Sequence, residues 1–412
     1  MGSLTQINRR TFLQAAAAAP ALLSSMNALL AAQETLPNVK IDKAEVFPII
    51  YPMTGYFKFF AGPNGSVGRP AVVIKLTASD GTVGWGQSVP VAKWSYETLG
   101  SSTSVLRDEW APLLIGRDPH DIPGIHLAMD HATAPAFSTG MSIARAGIDL
   151  ALWDLVGKIH KKNVAELWGL KASGKILLSW TVNVRKLDEI DAIVANGKKR
   201  GYRNFNIKIG PNDVKFDVEL ARRVKAAAPD GFLWPDANTG YDVPTALEAA
   251  PKLADAGCCV LESAIKPNQI RGYQALVRQN ALPIIMDEGV ISPVDLEEFI
   301  HLKMLHGMSM KPSRCGGLTS NKAQIELCNK YGLMWLGSGL TDPDVSLAAS
   351  LILYSAYGVQ KPSALNGPQF LTASILKEPI EVRDGYATVP TGPGLGVEVD
   401  EQKLHALSAK SS

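Results

Sequence analysis

Cysteine is scarce: four in 412 residues, adjacent at Cys258 and Cys259 and isolated at Cys315 and Cys328, with no C-x-x-C. That spacing excludes a disulfide scaffold and a cysteine-built zinc site, and it predicts buried free thiols. Charge of one sign is also missing. Lys plus Arg (41) nearly balance Asp plus Glu (39), and no basic block exceeds KKR at 198–200, which argues against nucleic acid as a main partner. There is no low-complexity tract. No apolar run is long and clean enough to be a stable membrane span, because the best one is interrupted at Pro20 and at SSMN. What remains is a globular composition, 46% hydrophobic and 19% charged. The chain is long enough for two domains, or for one large barrel with an added unit.

The first 35 residues stand apart. NRRTFLQ, with Arg9 and Arg10, precedes AAAAAPALL, the layout of a twin-arginine export signal, although no clean A-x-A site appears before Gln33. The expectation is a chain that folds in the cytoplasm, uses the twin-arginine export machinery and works in the periplasm.

From about 40 to 90 the texture is strand-like: KAEVFPIIYPM, AVVIKLTA, a turn at SDGT, then VGWGQSVP. Residues 95–165 read as helices, most clearly SIARAGIDLALWDLVGKIHK, whose apolar residues recur at helical spacing. From about 176, short apolar runs alternate with amphipathic helices: LLSWTVN, FNIKI, FLWPDA, CCVLES, PIIMDE, MSMK and LMWLGSG are the strands. Connections this short imply parallel strands joined by crossovers. Seven or eight such units in about 190 residues favour a closed (β/α) barrel over an open sheet.

In such a barrel the carboxyl-terminal strand ends meet at one mouth. Those ends carry Lys208, Asp236, Glu262, Asp287 with Glu288, and Lys311, at intervals of 28, 26, 25 and 24 residues from Lys208 to Lys311. Three carboxylates on neighbouring strands repel one another and are costly to desolvate. A hard divalent cation, Mg²⁺ or Mn²⁺, resolves that conflict, with Asp236, Glu262 and Asp287 as ligands.

Lys208, Asp236, Glu262, Asp287 and Lys311, followed by RCGGL, resemble the enolase superfamily, in its muconate-lactonizing-enzyme-like branch. ARAGIDLALWDLVGK with ELWGL is similar to that family's hallmark at the end of its capping domain. The resemblance covers roughly 40–405. It implies an α/β fold, a modified (β/α)7β TIM-like barrel over 175–365, with an α+β capping domain over 40–170 completed by 366–405. It also implies one Mg²⁺ and removal of the proton α to a carboxylate, the superfamily chemistry that uses a Lys or His base. A lysine near a dication and a second ammonium has its charged form disfavoured, and so can act as base. Lys208 on the second strand and Lys311 on the sixth stand on opposite sides of an eight-stranded ring. This predicts a two-base racemase or epimerase acting on an amino-acid-like or hydroxy acid. The alternative is a lyase, a dehydratase or cycloisomerase; a third is a non-catalytic exported binding protein. No histidine stands at the predicted seventh-strand end, so a His-Asp base is not supported.

Some positions depart from the family pattern. The branch usually carries Lys-x-Lys on the second strand, where this chain has Asn206. Its seventh strand usually ends in glutamate, where this chain has GSGLTDPD, leaving Ser338, Thr341 and Asp342 as candidate substrate contacts. Asn238 and Glu288 are candidate supporting groups around the metal. TGYFKFFAGPNG, 54–65, matches a flexible covering loop, and its four aromatics predict an apolar or ring-bearing substrate part. VPVAKWSYET, 89–98, would be a second covering loop, with Gln87 where a glutamate is common. Symmetric homo-oligomers are the general expectation for such an enzyme.

Overall fold

The computed structural model describes residues 38–60, 68–136, 139–210 and 213–408. The export-signal reading and the 61–65 tip of the aromatic loop lie outside those residues. Three antiparallel strands, β1 (Ile41–Pro52), β2 (Gly68–Ala78) and β3 (Val83–Ser88), form one sheet in the order β1-β2-β3. The SDGT turn joins β2 to β3 with Gly81 at φ +84°, a conformation that glycine adopts without a Cβ penalty. The helix Ser142–Ile159, buried nearly all round, lies directly on β3. Contact is that close because both surfaces are small: a Cβ on Gly86 would collide with the Gly147 carbonyl, and one on Gly84 with that of Ala151.

After β4 (Lys175–Leu177) come seven parallel strands: β5 (Ser179–Val182), β6 (Asn204–Lys208), β7 (Leu233–Asp236), β8 (Leu261–Glu262), β9 (Ile284–Met286), β10 (Gly307–Met310) and β11 (Met334–Gly337). They neighbour one another in strict chain order. Two residues close the ring as its eighth stave. Ser179 N–H donates to the Ser363 carbonyl and Ala364 N–H to that of Gly337, both at 2.8 Å. The barrel is therefore the (β/α)7β form, with antiparallel strands and helices as a separate α+β cap.

The C-terminal stretch serves both parts. Met53 bridges Leu371 and Ile49 bridges Ser408, along β1. In contrast, β12 (Val382–Arg383) and β13 (Tyr386–Thr388) add to β4, at the start of the barrel. Residues 366–405, expected with the cap alone, thus divide between the two. Cys258, Cys315 and Cys328 are buried free thiols and Cys259 is half-buried. Among the described residues no helix is long and apolar enough to cross a membrane.

Candidate active site

Parallel strands in register bring their last residues to one level, so Lys208 is the partner of Asp236, and Asp236 that of Glu262. Asp287 and Lys311 follow the last residues of β9 and β10 directly. The three acids are essentially inaccessible, each at most 1% exposed. Asp236 Oδ2 accepts from Lys208 Nζ at 2.6 Å, and Glu262 Oε1 accepts from the Ser309 hydroxyl at 2.7 Å. Asp287 is held by both Lys311 and the Arg314 guanidinium.

Burial and the charge of Asp236 push Glu262 up to about 7. Burial would raise Asp236 as well, but the ammonium groups of Lys208, Lys58 and Lys311 outweigh it and hold Asp236 below its usual range. Among the described residues no three acidic, histidine or cysteine side chains form a closed metal cluster. Asp236 and Asp287 each turn an oxygen to a lysine instead. The donor set is nevertheless all oxygen, anionic and desolvated, and one member, Glu262, is driven toward protonation by burial and by its neighbour Asp236. That chemistry suits a hard divalent cation.

The lysines stand on the second stave and after the sixth of the eight, which places them across the ring. Their tethers differ. Lys208 is bonded to Asp236, while Lys311 is bonded to Asp287 and lies 5.3 Å from the centre of the Trp94 ring, an attractive cation–π arrangement. Trp94 comes from the 89–98 loop, which thus reaches into the mouth; its indole N–H donates to Glu288 Oε1 at 2.6 Å. Asn238 joins the same group, donating from Nδ2 to Asp236 at 3.0 Å and to Glu288 at 3.3 Å. Asn238 and Glu288 therefore support the acids, through a turn in which Asn238 and Thr239 both have positive φ.

Lys208, Lys311, Asn206, Asn238, Ser338 and Thr341 line one cavity, roofed by Phe57, Phe59, Phe60 and Trp94. Asn206 donates to the Trp234 carbonyl at 3.0 Å, and its buried Oδ1 has no partner among the described residues. Asp342 does not line the cavity: it is buried under the seventh-strand turn, accepting from Leu340 N–H at 3.2 Å. Gln87 also points elsewhere, donating to the Tyr51 hydroxyl and accepting from Ser346. His306 accepts from Ile284 N–H, a structural role.

Several residues here escape sequence reading. Arg314 was legible as the first residue of RCGGL, but its pairing with Asp287 depends on where the turn after Lys311 lands. Arg69, inaccessible on β2, donates to the carbonyls of Val89, Pro90 and Leu340 at 2.7–2.9 Å, fixing the second loop and the seventh-strand end to the cap. An arginine inside a β-rich run, RPAVVIKLTA, was the available sign, because a buried guanidinium requires several acceptors. Lys58 was hidden among aromatics. Burial lowers it to about 8, against the attraction of Asp236.

Comparison with known proteins agrees with this geometry. Residues 64–169 match the mandelate racemase / muconate lactonizing enzyme N-terminal domain and residues 189–403 the enolase C-terminal domain-like family. The chain is similar to a chloromuconate cycloisomerase of Cupriavidus necator, 28% identical over 81% of this chain and 90% of that one. It is also similar to an o-succinylbenzoate synthase of Bacillus subtilis, 27% identical over 83% and 90%. Among solved structures it resembles 2-chloromuconate cycloisomerase from Rhodococcus opacus 1CP, with TM-score 0.81, 26% identity, and coverage of 90% of this chain and 100% of that one. With both family domains matched in order across barrel and cap, this chain is an enzyme of the enolase superfamily, in its muconate-lactonizing-enzyme-like branch.

Proposed function

We propose that the protein catalyses a cycloisomerisation or β-elimination on a small carboxylate, using Lys208 to carry the α-proton. The observation that carries this reading is the near full-length likeness to cycloisomerases and an o-succinylbenzoate synthase, together with two lysines in one cavity that are tethered unequally. In the elimination direction the Lys208 amine takes the α-proton. The C–H electron pair moves onto the carboxylate as an enediolate, then returns to form the double bond as the β-substituent leaves with its own electron pair. Cycloisomerisation runs the same sequence in reverse, with a carboxylate oxygen of the substrate adding to the β-carbon and the lysine ammonium giving up its proton to the α-carbon.

Lys311, pinned by Asp287 and the Trp94 face, stays as a fixed positive charge opposite Lys208. Asp236, Glu262 and Asp287 would hold Mg²⁺, which supplies offset of the second negative charge on the substrate carboxylate, worth several kcal/mol in the transition state. The aromatic roof excludes water from the anion.

The opposed placement of the two lysines favours a second reading, racemisation, in which Lys311 returns the proton from the other face. Incubating candidate acids in D₂O with Mg²⁺ and following them by NMR separates the two. Cyclised or eliminated product, without inverted starting material, supports the first; α-deuterated, inverted starting material supports the second.

A further inference from the structure

A second cleft, of about 500 Å³, opens beside the first barrel strand and shares no lining residue with the cavity at the mouth. Phe57 of the mouth packs against Phe370 of the cleft, ring centres 5.1 Å apart, so two rings form a wall between the spaces. Local sequence makes the cleft. Trp180 on β5 turns its indole out of the barrel toward the helix Ile190–Lys199, where Gly197 leaves room for it: a Cβ there would lie 2.7 Å from Trp180 Cγ. Tyr56, from the loop after β1, and Phe370 supply two further aromatic walls.

The charged and buried polar groups that line it are mostly donors without acceptors. The Arg185 guanidinium lies 4.0 Å from the centre of the Tyr56 ring and that of Arg200 5.4 Å from the Trp180 ring, and neither hydrogen-bonds or ion-pairs with a described residue. Asn183, 8% exposed, accepts the Lys58 N–H through Oδ1 at 2.9 Å, which fixes its amide and leaves Nδ2 without a partner among the described residues. The indole N–H of Trp180, 3% exposed, is likewise unpartnered. Gln369 is satisfied at both ends by the Thr181 backbone. One carboxylate also lines the cleft, that of Glu189; it accepts the Arg185 backbone N–H at 2.9 Å and forms no ion pair with either guanidinium.

Buried donors without acceptors cost free energy that an incoming acceptor recovers. A guanidinium stacked on a ring is held in place by cation–π attraction and keeps its N–H edge for a carboxylate to take in two parallel bonds. The volume is that of a small-molecule site, aromatic walls with a few polar groups among them. We propose that this cleft is a second ligand site, separate from the catalytic mouth, which takes a ring-bearing organic carboxylate: Tyr56, Trp180 and Phe370 hold its apolar body, and Arg185 and Arg200, with Asn183, take its charge. The site is independent of the reaction reading.

The test is a calorimetric titration of the full, Mg²⁺-loaded chain with 2-naphthoate and with 2-naphthylmethanol, which shares the ring system and lacks the charge. Wild type should bind the acid about tenfold tighter than the alcohol or more. The double variant Arg185→Gln/Arg200→Gln should bring the acid to the affinity of the alcohol, with circular dichroism unchanged, since both side chains are exposed. Ala192→Trp, at an exposed helix position that lines the cleft, should weaken both compounds by filling it. Lys208→Ala, at the mouth, should leave the arginine-dependent binding as in wild type. A wild type that binds neither compound, or binds the acid no tighter than the alcohol, overturns the proposal. So does an affinity for the acid that survives in the double variant, or one lost in Lys208→Ala, which would place the acid at the mouth.

Discussion

Each charge at the barrel mouth is defined by the neighbours it is bonded to. Lys208 and Lys311 are the same residue type on the same rim, yet one answers to a single carboxylate and the other to a carboxylate and an indole face. Lys208→Met should lower kcat by about 10²–10⁴, the usual weight of a positioned acid–base group, with the unfolding midpoint near that of wild type. Trp94→Phe keeps a ring over Lys311 but loses the N–H donated to Glu288, so it should cost less activity than Trp94→Ala. Steady-state kinetics on the first active acid checks both orders. At this scale the sequence was informative wherever a residue ends a strand, because strand period and unit length fix position. It was silent on what Lys58, Arg69 and Arg314 would meet, since Arg69 reaches the carbonyls of Val89, Pro90 and Leu340, 20 to 271 residues away, and Arg314 reaches Asp287.

Helices and strands are fastened by buried polar groups that no periodicity reveals. Glu97 accepts from the amides of Ile143 and Ala144 at 2.8 and 2.7 Å, capping the helix that lies on β3. Burial pushes its carboxyl up to about 7 from an ordinary 4.5, outweighing those amides, Ser102 and Arg145. The raised value means that the folded state holds the proton more tightly than the unfolded chain. Its contribution to stability is complete below about pH 4.5 and fades as pH rises through about 7, at up to about 1.4 kcal/mol per unit. Urea unfolding at several pH values should show that slope in wild type and a shallower one in Glu97→Gln.

The same helix packs glycine to glycine, so Gly86→Ala should cost about 1–3 kcal/mol by overpacking, read from the same titrations. The helix was legible from its 3.6-residue repeat. Its closeness to β3 was not, because glycine spacing has meaning only once the two faces meet.

For the molecule as a whole, alternating strands and helices were enough to give the barrel, and RCGGL with the spaced lysines and acids were enough to give the family. The eighth stave was not legible, since two residues, Ser363 and Ala364, close the ring by backbone hydrogen bonds alone. The division of the C-terminal stretch between β1 and β4 was equally hidden, because pairing partners lie hundreds of residues apart. The racemase expectation followed from lysine geometry, whereas the relatives favour the lyase-type alternative. The export signal is a proposal of the same kind. Replacing Arg9 and Arg10 by Lys should leave the protein in the cytoplasmic fraction, while unchanged fractionation would remove it.

The most direct measurement is the rate of α-deuterium transfer from D₂O to the first acid that the Mg²⁺-loaded protein accepts, in wild type and in Lys208→Ala. Proton transfer through this lysine predicts a fall of at least about 10² with the acid still bound. Deuterium transfer at the wild-type rate in Lys208→Ala would contradict it.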